Sequence, residues 1–162
     1  MSMLDMDERL LDILQQVDLR SSPITDLKHP DPEGVTVGVL EGAVANSATE
    51  EVARRMRDRS KILVALGDCA VFGGVPAMRN HLCIKAALQR AYIETESTVN
   101  GHIPDDPELA TMLPQVKAVD QVVPVDAYIP GCPPSADTIH SVLVKLLKGE
   151  KPQVPPEKLD WH

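Results

Sequence analysis

The chain has 162 residues, of which 43% are hydrophobic, so it can form one domain with a substantial core. Its formal net charge of −8 argues against nucleic acids and anionic membranes as partners, because both bind basic surfaces. No apolar run reaches the roughly 18 residues that a membrane-spanning helix requires. Three dispersed cysteines, Cys69, Cys83 and Cys132, form no disulfide framework and predict a reducing, cytoplasmic environment.

The first half of the chain predicts helices that alternate with buried strands. An opening helix is expected with Ser2 as its N-cap, because apolar residues recur at helical spacing after it. Apolar residues 35–42 predict a first strand. A second helix follows, for which Ser47 and Glu50 form a capping box. Residues 61–68 are almost continuously apolar, which predicts a second strand that is buried on both faces.

The second half predicts one more strand between two helices. Residues 80–94 form a helix candidate, and the acidic, proline-containing segment 96–109 is expected to be a loop. A third strand is predicted over 121–131, where Pro124 favours an edge position or a bulge. A final helix is expected over 135–149, with a serine cap at its start and a glycine at its end.

Successive apolar strands joined by helices predict a doubly wound α/β domain, with a parallel sheet and helices on both faces. The domain is expected to cover residues 1–149, and the Pro-rich residues 150–162 are expected to form an extended tail. Such domains open with the central strand of the sheet, whereas this chain opens with a predicted helix. The pattern therefore predicts that the central first strand is missing, and that the isolated chain folds poorly because neighbouring strand edges are exposed.

Three loops leave the carboxyl ends of the predicted strands, which is where ligands bind in open parallel sheets. They begin at Glu41, Gly67 and Pro130, and the second and third loops carry Cys69 and Cys132. Glycines beside both cysteines permit turns with positive φ and a close approach of the backbone to a ligand, and two prolines stiffen the last loop. The ligand-contacting residues predicted from these loops are Gly67, Gly73, Gly74, Gly131 and Pro133.

Cys69 and Cys132 are candidate metal ligands, because a rigid turn lowers the ordering cost of metal binding. The alternative is that each is a small buried hydrophobic residue, as single cysteines usually are. Two thiolates complete neither a zinc site nor an iron–sulfur cluster, which usually take four ligands. Cys83, within a predicted helix, is expected to pack in the core. Glu41 could receive a proton or hold a turn, and a solvated strand end is the equal alternative.

Several motifs resemble the small subunit of bidirectional, NAD-reducing NiFe hydrogenases. They are MSMLDMDERLLDIL at the start, then VLEGAVAN, GDCAVFGGVPAMRN, PDDPEL and VDAYIPGCPPSADTI. The resemblance runs from Met1 to about Gly149. The pair G-x-C-x-x-x-G-G and G-C-P-P is shared with a wider family that includes the cluster-bearing B subunit of respiratory complex I. The opening motif and P-A-M-R-N are more specific to the hydrogenase.

The resemblance implies a flavodoxin-like electron-transfer domain that carries the 4Fe-4S cluster proximal to a NiFe centre. Four cysteines hold that cluster in the family, and Cys69 matches the third and Cys132 the fourth. The NiFe centre itself belongs to the large subunit, and FMN and NAD are expected on diaphorase subunits of the same soluble complex. Electrons would pass one at a time from the large subunit towards the diaphorase, and Glu41 could lie on a proton route near the interface.

The chain departs from the family pattern at its start. Family members read approximately C-x-G-C-H-M-S-x-L-D-M-D-E, and this sequence begins at that M-S, so the first two cluster ligands are absent. A truncated chain is the preferred explanation, because the motifs around Cys69 and Cys132 are intact, and a variant without a cluster is the alternative. Three other functions stay open: a complex I-like quinone reductase subunit, a flavodoxin-like flavin-binding module, and a docking subunit without a cluster.

Overall fold

The structure is a computed structural model, and it describes residues 3–22, 29–152 and 154. Its helices and strands in these residues are, in chain order, α1 (Glu8–Leu14), β1 (Val35–Glu41), β2 (Val44–Asn46), α2 (Ser47–Arg59), β3 (Ser60–Leu66), α3 (Asp68–Phe72), α4 (Ile84–Tyr92), β4 (Met112–Lys117), β5 (Ala127–Ile129) and α5 (Ala136–Leu147). Short 3₁₀ helices lie at Leu4–Met6, Val75–His81 and Val119–Gln121.

Three parallel strands form the main sheet in the order β1–β3–β5. The central strand is β3, in which Val64 pairs with Val39 on one side and with Ala127 on the other. The described sheet has no gap in its middle, where the missing first strand is predicted to belong, and that the chain lacks this strand stays a prediction. Strands β1 and β3 hydrogen-bond to each other from Val35 to Glu41, so no strand fits between them.

Helices cover both faces of this sheet, which confirms the predicted α/β class. Because side chains alternate along a strand, β3 sends Leu63 and Ala65 to one face and Val64 and Leu66 to the other. The first pair packs in a core cluster with residues of α2 and α3. The second pair packs with β5, α5 and the N-terminal helical segment. All four side chains are buried, so β3 lies between two apolar layers, as its continuous apolar sequence predicts.

A second, two-stranded antiparallel sheet joins β2 to β4. The sequence pattern does not predict this sheet, because β2 has three residues and follows β1 after two residues, and β4 contains a proline and lacks a clear alternation. Val44 pairs with Lys117 and Asn46 with Met112. The ribbon carries the chain from the first strand-end loop into α2, so it fixes the start of that helix.

Two helix starts differ from the predictions. The opening helix is divided at Asp7, whose φ of 51° separates the 3₁₀ turn from α1, and the predicted cap Ser2 lies outside the described residues. The N-cap of α2 is Asn46 and not Ser47. The Asn46 carboxamide oxygen accepts the Thr49 N–H at 2.9 Å, and the Thr49 hydroxyl accepts the Asn46 N–H at 3.0 Å.

The last predicted elements are confirmed in outline. Strand β5 is shorter than expected, since only residues 127–129 of the predicted 121–131 pair with β3, and it lies at an edge of the described sheet. Helix α5 begins after Ser135, whose hydroxyl accepts the Thr138 N–H at 3.2 Å. The described helices include none that is both long enough and apolar enough to span a bilayer. Most of the predicted tail lies outside the described residues, and the 1–149 domain boundary stays a prediction.

Candidate functional site

The carboxyl ends of the three parallel strands lie side by side. Glu41 at the end of β1 pairs with Leu66 at the end of β3, and Leu66 pairs with Ile129 at the end of β5. The three loops singled out from the sequence therefore leave the sheet in one row. Since open parallel sheets bind ligands beyond this edge, the fold brings the candidate residues to the expected place.

The loop after β3 turns sharply at Gly67. Its φ of 83° and ψ of 159° are a conformation that side chains rarely adopt, so a glycine is required there. The Gly67 N–H donates to the Ile129 carbonyl at 2.7 Å, which extends the pairing of the two strands by one step. The short helix α3 begins at the next residue and contains Cys69.

A reciprocal pair of hydrogen bonds joins the two cysteine loops. The Asp68 N–H donates to the Gly131 carbonyl at 2.9 Å, and the Gly131 N–H donates to Asp68 Oδ1 at 2.7 Å. Cys69 follows Asp68 directly, and Cys132 follows Gly131 directly. The two cysteines, 63 residues apart in sequence, are thus each one residue away from the same bonded pair.

Two glycines close the turn beneath Cys69. Gly73 ends α3 in the left-handed conformation with φ of 87°, and its N–H donates to the Cys69 carbonyl at 3.0 Å. Gly74 has φ of 50°, and a Cβ atom there would lie 2.8 Å from Cys69 Sγ. The backbone therefore approaches the thiol more closely than any side chain would allow, and Cys69 itself is half-buried.

Cys132 is exposed and lies in a stiff segment. Gly131 before it has φ of 137°, and a Cβ atom there would approach Pro134 Cα to 2.5 Å. The Cys132–Pro133 peptide bond is cis, and Ser135 then caps α5. The loop thus fixes its thiol between a strand end and a helix start. The ligand contacts of Pro133 and the glycines stay predictions.

Glu41 lies at the same edge and is exposed. It borders a cavity of about 180 Å³ that lies between the end of β1 and the start of α2. Thr49 and otherwise apolar residues line this cavity, including Val52 and Val119. No hydrogen bond connects the Glu41 carboxylate to either cysteine loop within the described residues, so its part in a proton route stays a prediction.

The prediction that Cys83 packs in the core is wrong. It is exposed and forms the N-cap of α4, because the predicted helix over 80–94 begins only at Ile84. The backbone N–H groups of Ala86 and Lys85 lower the pKa of the Cys83 thiol, because their dipoles stabilise the thiolate. A 3₁₀ helix ends at His81 and α4 begins at Ile84, so Cys83 lies in the short connection between them and not within a helix.

An exposed apolar surface follows Cys69 along the chain, and the sequence pattern does not predict it. It consists of Phe72, Val75, Met78 and Leu82, whose exposed fractions lie between 61% and 70%. We call these four residues the apolar surface. Their spacing of three to four resembles the buried face of a helix, so only the tertiary structure shows that nothing among the described residues covers them.

The motif P-A-M-R-N, residues 76–80, joins the segment that carries the apolar surface to the β2–β4 ribbon by hydrogen bonds. The Arg79 guanidinium donates to the Ala45 and Leu113 carbonyls at 3.2 and 3.0 Å. The Asn80 side chain exchanges two hydrogen bonds with the backbone of Val116, at 2.7 and 2.9 Å. The motif thus positions the segment that carries the apolar surface, immediately beyond the Cys69 turn.

The donor set is incomplete for a metal site. No group of three or more histidine, cysteine, aspartate or glutamate side chains converges in the part of the chain that the structure describes. Cys69 and Cys132 are a pair of candidate ligands, and a zinc ion or an iron–sulfur cluster needs further donors.

Comparison with known proteins places the chain among oxidoreductase subunits. The family model described as NADH ubiquinone oxidoreductase, 20 Kd subunit, matches residues 1–146. The chain belongs to this family. The NAD-reducing hydrogenase HoxS subunit delta of Cupriavidus necator is 40% identical over 96% of this chain and 75% of its own length. An iron-sulfur subunit of the F420-non-reducing hydrogenase of Archaeoglobus profundus is 31% identical over 94% of this chain.

The family also supplies a close structural match. A crystal structure of NAD⁺-reducing NiFe hydrogenase in the H2-reduced state contains a chain that superimposes with a TM-score of 0.94 at 36% identity, covering 99% of this chain and 90% of that one. The fold class and the resemblance to hydrogenase small subunits are therefore confirmed. This chain spans 75% of the length of the Cupriavidus relative and 53% of the length of the Archaeoglobus one.

Proposed function

We propose that this chain is the electron-transfer small subunit of a soluble NiFe hydrogenase, and that Cys69 and Cys132 supply two of the four ligands of its proximal 4Fe-4S cluster. The reciprocal pairing of Asp68 with Gly131 carries the proposal, because it brings two loops that each hold a cysteine to one edge of the sheet. Relatives named as a hydrogenase subunit delta and as an iron-sulfur subunit support it.

Cys69 and Cys132 have the right chemistry for two of the four ligands of a 4Fe-4S cluster. Thiolates are the usual ligands of iron–sulfur clusters, and four are needed. Two cysteine loops with fixed turns are present among the described residues, and a complete cluster would need two further thiolates. When bound, the cluster supplies one-electron transfer.

The residues of this chain would hold and shield the cofactor. The turns at Gly67 and Gly73 fix the backbone on either side of Cys69, so little ordering is left for metal binding. Gly74 keeps the space beside the Cys69 thiol free of a side chain. Turns of this kind also direct backbone N–H groups towards anionic sulfur, which is one of the factors that set a reduction potential.

The apolar surface supports a place within a larger complex. Phe72, Val75, Met78 and Leu82 follow Cys69 and would be covered by the hydrogenase large subunit, which holds the NiFe centre. Diaphorase subunits with FMN and NAD would receive the electrons, in the cytoplasm. Glu41, exposed at the same strand edge, is the residue that we propose for a proton route at the interface.

A quinone reductase subunit is the second candidate, because the matching family model takes its description from an NADH ubiquinone oxidoreductase. The two functions differ in their electron donor. Reduction of the cluster by H2 in the intact complex supports the hydrogenase assignment, whereas reduction by NADH alone with transfer to quinone supports the alternative.

Metal analysis of the complex purified with its natural partner subunits tests the proposal. We expect Cys69→Ser and Cys132→Ser to lower iron and acid-labile sulfide by about one 4Fe-4S cluster per complex, and to remove one cubane signal from the electron paramagnetic resonance (EPR) spectrum of the reduced complex. Cys83→Ser is the matched control and should leave both unchanged. If the Cys69→Ser and Cys132→Ser complexes both have the same iron content and EPR signal as the wild-type complex, the proposal is contradicted.

A further inference from the structure

We infer that Asp68 is a positioning residue: its carboxylate holds the loop of Cys132 against the loop of Cys69 and so sets the separation of the two thiols. This inference rests on the proposed function, because it assigns a role to a third residue of the same site. Asp68 itself would not be a ligand.

The hydrogen bonds between the loops show what the carboxylate adds. Two backbone bonds, from Gly67 to Ile129 and from Asp68 to Gly131, continue the pairing of the strands at 2.7 and 2.9 Å. The third bond, from the Gly131 N–H to Asp68 Oδ1 at 2.7 Å, comes from a side chain. It is the last contact before Cys132, and without it the Gly131 N–H would lose its acceptor.

A role for the Asp68 carboxylate within α3 alone does not account for its hydrogen bond to Gly131. The side chain lies in the first turn of α3, but that helix has five residues and its own bonds do not involve the carboxylate. Val71 donates to the Gly67 carbonyl at 3.0 Å, and Gly73 donates to the Cys69 carbonyl at 3.0 Å. No cation pairs with Asp68 among the described residues, so the Gly131 N–H is the partner on which its geometry depends.

Cross-linking of the two thiols measures their separation without a cofactor. The protein is the full chain without metal, with Cys83→Ser in every sample so that only Cys69 and Cys132 can react. The probe is dibromobimane, which carries two thiol-reactive bromomethyl groups. Each thiolate displaces one bromide ion, so a bridged product forms two C–S bonds and loses both bromines, and its mass distinguishes it from single adducts.

We expect Asp68→Ala to lower the yield of bridged product about tenfold at early times, a factor that corresponds to about 1.4 kcal/mol and so to the net contribution of about one hydrogen bond. Asp68→Asn retains an oxygen that can accept the Gly131 N–H, so it should restore most of the yield. Asp105→Ala, in the exposed loop, is the matched control and should equal the parent protein. A purely structural role would not distinguish alanine from asparagine in samples with the same circular dichroism spectrum.

The outcomes separate this inference from the proposed function. Failure of the parent protein to cross-link overturns both, because the thiols would not share a site. Cross-linking that is equal in the parent, Asp68→Ala and Asp68→Asn proteins overturns the positioning role and leaves the shared site intact. If the alanine variant does not fold, Asp68→Glu replaces it: a carboxylate moved by one methylene should lower the yield, and an unchanged yield overturns the inference.

Discussion

At each end of the pairing between strands β3 and β5, an aspartate exchanges two hydrogen bonds with the backbone of the facing residue, Asp126 with Leu63 and Asp68 with Gly131. The two ends differ in whether a cation pairs with the aspartate. At the amino end, Asp126 Oδ2 accepts the Leu63 N–H at 2.7 Å and an Arg57 N–H at 2.6 Å. At the carboxyl end, Asp68 Oδ1 accepts the Gly131 N–H at 2.7 Å without a cation among the described partners.

The same kind of hydrogen bond, from a backbone N–H to an aspartate, stabilises the strand pairing at the amino end and joins the two cysteine loops at the carboxyl end. The amino end is closed by a cation, since the Arg57 guanidinium also donates to the Ser60 carbonyl at 2.6 Å. The carboxyl end consists of glycine turns and carries two thiols. Residues that require positive φ and tight approaches are costly for stability, so their concentration at one edge indicates a site.

The largest effect is expected from Gly74→Ala at the carboxyl end. Backbone strain of about 1–3 kcal/mol is expected at φ of 50°. A Cβ atom 2.8 Å from Cys69 Sγ adds crowding of about 1–3 kcal/mol. The free energy of unfolding, measured in urea, should fall by the sum of the strain and the crowding. The iron content of the complex should also fall.

Gly42→Ala is the control for this change. Its φ of 88° is also positive, but a Cβ atom there meets nothing within 4 Å. We expect strain without crowding and an unchanged iron content. If Gly74→Ala and Gly42→Ala lower the free energy of unfolding and the iron content equally, the close approach of Gly74 to Cys69 affects neither stability nor iron binding.

The amino end should respond to Asp126→Ala with a loss of stability and no change in iron. Removal of the acceptor leaves the Leu63 N–H unpaired, which costs about 1–3 kcal/mol. Asp126→Asn keeps an acceptor and should lose less. Urea unfolding at neutral pH measures both variants, and a fall in iron content would show that the two ends are not independent.

The same carboxylate predicts an acid dependence. The hydrogen bond from Arg57 and the Leu63 N–H hold the pKa of Asp126 below its ordinary value of 3.8. Its contribution to stability is therefore complete above that ordinary value and is lost as the pH falls through the lower, folded-state pKa. The contribution is modest because the Asp126 side chain is 47% exposed. Asp126→Asn should flatten this part of the acid unfolding curve.

The smallest effect on stability is expected at Cys83, the thiol that lies outside both ends. Cys83→Ser should change the free energy of unfolding by less than about 0.5 kcal/mol, because the side chain is exposed. Iodoacetamide should modify Cys83 with a pH midpoint below that of a cysteine in an unstructured peptide, since the backbone of Ala86 and Lys85 lowers its pKa. A midpoint at the unstructured value contradicts this assignment.

Local patterns predict the parallel sheet and the position of its loops. The continuous apolar residues of β3 predict a strand buried on both faces, as the structure has it, whereas β1 is buried on one face and its Val39 is 39% exposed. Cys69 and Cys132 are predicted at one edge because parallel strands end together. The same patterns fail at Cys83 and at the apolar surface. Helical spacing shows that side chains share a face, but it does not show whether that face is covered.

The sequence by itself determined the α/β class, the two cysteine turns and the resemblance to hydrogenase small subunits, because each depends on residues that are neighbours in the chain. Only the tertiary structure decided that β1 pairs directly with β3, that Asp68 reaches Gly131, and that Phe72 and Leu82 stay exposed. These features depend on contacts between residues far apart in sequence, and their geometry is fixed only when the whole chain packs.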